Sequence, residues 1–186
     1  MEDAHPILRA AEDVLHRLQE HKIDAVVIGA VALAAHRYVR QTEDLDLGIN
    51  AEVRKLRELV TSLRQAGYAA ELREPDAEDP LGGVIDIEGP FGLIQVISYA
   101  GKFPNVIDDA LREAQLTARP GSALKLAPLP HLIALKLYAG GTKSKADILE
   151  LLLRNPELDV ESVRQLCRSY HLSGLDELIE EARSSR

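Results

Sequence analysis

Read for hydrophobic spacing, the chain begins with helical periodicity, passes through a stretch of short strands, and returns to helical periodicity. Ile7, Leu8, Ala11, Val14, Leu15 and Leu18 recur about every 3.6 residues between charged positions, which predicts an amphipathic helix over 6–20. The apolar run 25–28 predicts a buried strand, punctuated by Gly29, and 30–39 reads as a short helix of small residues. In the next apolar run the period drops to two. Leu45, Leu47 and Ile49 fall on one face of a strand, and Thr42, Asp44 and Asp46 on the other.

Helical spacing returns at 51–65, with Asn50 placed to cap that helix and Gly67 to stop it. A short strand at 68–72 and an acidic loop at 73–80 lead to two strands, 82–88 and 91–98, joined at Gly89-Pro90 as a hairpin. Helices are expected at 104–114, 130–139, 146–154, 159–170 and 175–182, with a basic loop at 142–145 and a short additional strand at 124–126. The pattern predicts an α+β fold with a mixed β-sheet of about five short strands flanked by helices, followed by a helical C-terminal part. A soft boundary near 117–127 separates a core of residues 1–120 from a helical subdomain of 121–186.

Composition narrows the function classes. The chain has 186 residues, 46% of them hydrophobic, enough for a sizeable core. A formal net charge of −8 argues against broad nucleic-acid binding. A lone cysteine, Cys167, sits on an apolar helix face and reads as a core residue in a reducing compartment. No apolar stretch reaches bilayer length and none resembles a leader, so the expectation is a cytoplasmic protein with no membrane association.

The candidate chemistry lies at Asp44 and Asp46. Two carboxylates side by side on a strand repel unless a cation sits between them, so a divalent metal site is the sharp reading; two solvated side chains at a strand end are the bland one. Gly29, before a helix start, is either an ordinary turn or a place where a phosphate approaches the backbone. Asp86, Glu88 and Gln95 are polar positions inside apolar strands. Lys136 interrupts a strongly apolar helix and either reaches out to water or points into a polar site. Asp147, in the first turn of its expected helix, has an ordinary explanation in the helix dipole.

Taken in order, Ile28-Gly29-Ala30-Val31-Ala32, His36-Arg37, Thr42-Glu43-Asp44-Leu45-Asp46-Leu47, the hairpin between Gly82 and Val96, and Leu132 to Leu137 leading to Lys145-Ala146-Asp147-Ile148 resemble the nucleotidyltransferase superfamily of the polymerase-beta type. The branch it looks most like is the minimal, abortive-infection-toxin-like one. The resemblance implies that Gly29, Ala30 and Thr42 hold a nucleoside triphosphate, that Asp44 and Asp46 bind Mg²⁺, and that a nucleoside monophosphate passes to a hydroxyl of an RNA, a protein or a small molecule. It also implies Lys136 and Asp147 on the helices closing the far side of the site, and an antitoxin or other partner protein. Two departures stand out: Ala30 replaces the usual second glycine or serine, and Gln95 falls where a third carboxylate is expected. A glutamine cannot accept a proton as a carboxylate does, so a nucleotide- or partner-binding module without catalysis is the alternative.

Overall fold

The computed structural model describes residues 6–40 and 44–185. Thr42 lies outside the described residues. Among the described residues, eight helices and six strands follow in the order α1 (Pro6–Glu20), β1 (Ala25–Val27), α2 (Ala30–Ala35), β2 (Asp44–Ile49), α3 (Val53–Gln65), β3 (Ala69–Arg73), β4 (Gly83–Gly89), β5 (Gly92–Ser98), α4 (Pro104–Glu113), β6 (Lys125–Leu126), α5 (Leu129–Ala139), α6 (Gly141–Arg154), α7 (Val160–Ser169) and α8 (Leu175–Ser184).

The strands form one mixed sheet in the order β3-β4-β5-β2-β1-β6. β2 runs parallel to β5 and antiparallel to β1, while β4 and β5 form the expected hairpin, closed where Gly89 faces Gly92. The short sixth strand pairs parallel with β1 and so extends the sheet beyond residue 120. Alternation fixes which face is buried. Leu45, Leu47, Ile49, Ile85, Ile87, Ile94 and Val96 are fully buried, each contributing roughly 1.5–3 kcal/mol of burial free energy. α1 and α3 pack on the sheet and on each other.

The opposite face carries Asp44 and Asp46, and it is covered unevenly. Gly48, next along that face, is where α4 arrives: a Cβ there would come 2.7 Å from Ile107 Cδ1. Helix α4 thus fills one end of the face, and α5, packed on α4, α6 and α7, continues the cover into the helical half. The two aspartates, at the start of β2, are left half-buried.

Three local expectations change. Asn50 does not cap α3, which begins at Val53; its amide instead donates to Asp108 Oδ2 at 2.9 Å. The short helix α2 ends at Ala35, and Arg37 then turns with a positive φ of 67°. Residues 142–145 are not a loop. Gly140 and Gly141, both at positive φ, break the chain so sharply that α6 starts at once, with Lys143 in its first turn and Lys145 just after it.

Candidate active site

The local geometry starts at the end of β1. Ile28 N–H donates to the Asp46 carbonyl at 3.0 Å, and Gly29 O accepts from Leu33 N–H as the first helical bond of α2. This brings the turn hard against β2. A Cβ built on Gly29 would lie 1.9 Å from Asp46 Oδ2 and 2.7 Å from its Cγ. Glycine is required here by close approach, and the group that approaches is the Asp46 carboxylate itself. Ala30, the first residue of α2, is buried.

Across the sheet, register sets Asp46 opposite Gln95, Gln95 opposite Asp86, and Asp86 opposite Glu71, a polar row on one face. Gln95 therefore stands beside Asp46 on the parallel neighbouring strand. Its Nε2 donates to Asp86 Oδ1 at 2.6 Å, and the Arg73 guanidinium adds two hydrogen bonds to the same carboxylate at 2.6 Å and 3.1 Å. Arg73 holds the Asp86 carboxyl below the ordinary carboxylate range, and Gln95 adds to this. Asp86 lies two strands from Asp46, roughly 10 Å at ordinary strand spacing. Glu88 is farther along, in register with Leu93, which faces Asp44.

Asp46 behaves in the opposite way. Burial, and then the neighbouring Asp44 charge, push its carboxyl above the ordinary value of 3.8; Lys136, Arg40 and Lys143 partly oppose this by favouring the ionised form. Those cations come from the helical half and from the segment entering β2. Lys136 does not reach out to water, for its side chain is only 18% exposed and Nζ lies 2.8 Å from Asp147 Oδ2, an ion pair by distance whose angles fall short of a hydrogen bond. Arg40 Nη1 lies 3.8 Å from the same oxygen. Asp147, the seventh residue of α6, is an interior group and not a dipole-stabilised first-turn acid.

Beyond Lys136, a cavity of about 480 Å³ opens between α5, α6 and α8, bordered by Lys145, Glu177 and Glu181. Tyr99 also senses the site: burial pushes its hydroxyl well up, and the Asp46 charge adds to the shift. Arg40, Lys143 and Tyr99 were not singled out in the sequence. Each sits in a segment whose pattern reads as a connector or a strand end, and only the tertiary fold carries their charge or ring to Asp46.

The donor set fits a hard divalent cation. Mg²⁺ is usually held by one or two carboxylates with phosphate oxygens and water completing its shell, and a cation would relieve the repulsion that raises Asp46. Among the described residues there is no group of three or more His, Cys, Asp or Glu side chains placed to cage a metal. No helix in the described residues is long and apolar enough to cross a membrane.

No protein-family model matches the chain, and no curated protein matches it in sequence. Solved structures match it in fold. ANT(2'')-Ia in complex with adenylyl-2''-tobramycin aligns with a TM-score of 0.53 at 16% identity, covering 88% of this chain and 96% of that one. The solution structure of the antibiotic-resistance factor ANT(2'')-Ia gives 0.53 at 17%, covering 96% and 97%. An antigenic nucleotidyltransferase-like protein from Paracoccidioides brasiliensis gives 0.50 at 20%, covering 80% and 75%. Along most of its length, then, the chain has a nucleotidyltransferase-like fold.

Proposed function

We propose that the protein is a Mg²⁺-dependent nucleotidyltransferase that moves a nucleoside monophosphate from a nucleoside triphosphate to a hydroxyl group. The observation that carries this reading is Asp46, pressed against Gly29 beside Asp44, with its proton affinity raised by burial and by its neighbour. Asp44 and Asp46 would hold the cation; when bound, it would neutralise charge building on the phosphates during in-line displacement. Lys136, Arg40 and Lys143 supply positive charge on the other side of the same site. Gly29 keeps the turn close enough to fix the Asp46 carboxylate. Gln95 can orient an acceptor hydroxyl or a ligand through its carbonyl oxygen, but it takes no proton.

A small-molecule hydroxyl is the first acceptor class to try. The fold likeness to ANT(2'')-Ia, captured with an adenylylated tobramycin, covers 96% of that chain, and the cavity bordered by Lys136 has small-molecule size. RNA and protein hydroxyls, with an antitoxin partner, form the remaining acceptor classes, which the resemblance to the abortive-infection-toxin-like branch suggests. Incubating the protein with each α-³²P-labelled NTP, Mg²⁺ and a panel of amino sugars, polyols and RNA ends tests the reading. Label transfer that needs Mg²⁺ and disappears in Asp44→Ala is expected.

Gln95 favours a second reading, in which nucleotide is bound and not transferred. NTP binding without transfer to any acceptor, followed by the appearance of transfer in Gln95→Asp, would select it.

A further inference from the structure

The positive side of the site hangs on one buried carboxylate. The Asp147 side chain is 3% exposed, and its Oδ2 has two cations in reach and no hydrogen bond of good geometry among the described residues. Arg40 Nε is likewise buried without a hydrogen-bond partner among the described residues. Burying a carboxylate is costly unless it is both paired and hydrogen-bonded, and a pair kept only for stability is commonly replaceable by apolar side chains. This cluster is paired but under-bonded. Two cations face one acid, so one positive charge remains in excess, and Lys143 on the exposed first turn of α6 adds another.

The three members come from separate elements. Lys136 is on α5, Asp147 on α6, and Arg40 in the segment entering β2, the strand of Asp44 and Asp46. Asp147 is the carboxylate at ion-pair distance from Lys136, and it draws inward an ammonium that a lysine at the margin of an apolar helix ordinarily extends to water. With it, both cations act on Asp46.

We propose that Asp147 is a positioning residue for the phosphates of the nucleotide: it holds Lys136 and Arg40 inward, so that their positive charges face phosphate oxygens beside Asp44 and Asp46. The inference rests on the nucleotide reading above. It assigns Asp147 no contact with the ligand and no proton transfer. Its effect passes through Lys136 and Arg40, and therefore belongs to affinity for the phosphates and not to affinity for the nucleoside.

Calorimetric titration of the full chain with Mg·ATP, and with Mg²⁺ plus inorganic triphosphate, tests this in wild type, Asp147→Asn, Asp147→Glu, Lys136→Gln and the Lys136→Gln/Asp147→Asn double variant. Asp147→Asn should weaken both ligands about tenfold, the size of one charge-assisted hydrogen bond, and Asp147→Glu should recover part of the loss. In the Lys136→Gln background the same Asp147→Asn change should weaken binding less than threefold, because its main route is already cut. Thermal melts monitor folding. Should Asp147→Asn not fold, Lys136→Met/Asp147→Leu removes both charges together and is expected to show the same loss of about tenfold. Wild-type affinity in a folded Asp147→Asn or Lys136→Met/Asp147→Leu variant, or an equal loss with and without Lys136, overturns the positioning role alone. A wild type that binds neither ligand overturns the nucleotide reading and this inference with it.

Discussion

Asp46 and Asp86 stand in the same polar row of the sheet, separated only by Gln95, and are treated in opposite ways by their surroundings. Asp86 receives the Arg73 guanidinium and the Gln95 amide, and its carboxyl is held below the ordinary range. Asp46 is more deeply placed, lies next to another aspartate, and is held above it. The first arrangement answers its own charge within the protein. The second is answered only in part, by Lys136, Arg40 and Lys143, and a bound cation would relieve the rest, which is why the proposed site is centred on Asp46 and not on Asp86. Gln95 belongs to both, and its amide is spent on Asp86.

Replacing Gln95 is the strongest way to break that division. Gln95→Asp removes a donor from Asp86 and puts a carboxylate beside Asp46. If a missing proton acceptor limits the reaction, transfer should rise about a hundredfold, the lower range for general-base catalysis, measured as label transfer under saturating Mg·NTP. An unchanged rate would mean that the acceptor loses its proton without help from this position.

Gly29→Ala tests the close approach on which the Asp46 geometry depends. The added methyl falls on the carboxylate, so Asp46 must rotate away; a stability loss of about 1–3 kcal/mol in urea unfolding is expected, together with weaker Mg²⁺ binding. In an Asp46→Ala background the colliding oxygen and Cγ are gone, and the cost of Gly29→Ala should fall by more than half. Equal costs in the two backgrounds would show that the turn and the carboxylate are not coupled.

The pH dependence follows from the sign of the Asp46 shift. A carboxyl raised in the folded state favours folding fully below the ordinary value of 3.8, and that contribution is lost as pH rises through the folded value. Without metal, Asp46→Asn should therefore be more stable than wild type at neutral pH by about 1 kcal/mol, with the advantage vanishing in acid. Added Mg²⁺ should stabilise the wild type and not the variant, which thermal melts at several pH values will register.

The smallest effect belongs to the compensated aspartate. Arg73 is more than half exposed, so Arg73→Ala should cost only about 0.5 kcal/mol at low salt and less at high salt. Asp86 should then titrate closer to 3.8, a shift that carboxyl NMR can follow, while Mg²⁺ binding at Asp46 stays as in wild type.

The fold was largely legible because its signals are local. Period-two alternation placed Asp44 and Asp46 on the face opposite Leu45 and Leu47, and Gly89-Pro90 set the hairpin that brings Gln95 into register with β2. What escaped the sequence depends on distance along the chain or on backbone detail. Arg40 and Lys143 look like connector charges until α5 and α6 fold over the sheet. The early start of α6 was hidden because two glycines usually end a helix and here also begin one, which moved Asp147 from an expected first turn into the interior. The neutralisation of Asp86 by Arg73 needed the β3-to-β4 register, which a short, exposed edge strand encodes only weakly. Likewise, Gly29 was legible as a turn glycine, but not as the space that the Asp46 carboxylate fills.

The central claim is that Asp44 and Asp46 together hold a divalent cation with a nucleoside triphosphate. Isothermal titration of ATP into wild type and into Asp44→Ala/Asp46→Ala, each with Mg²⁺ and with EDTA, tests it most directly. Binding by the wild type that requires Mg²⁺ and falls at least a hundredfold in the folded double variant is the predicted result. Equal ATP affinity in the two proteins, or affinity indifferent to Mg²⁺, would contradict it.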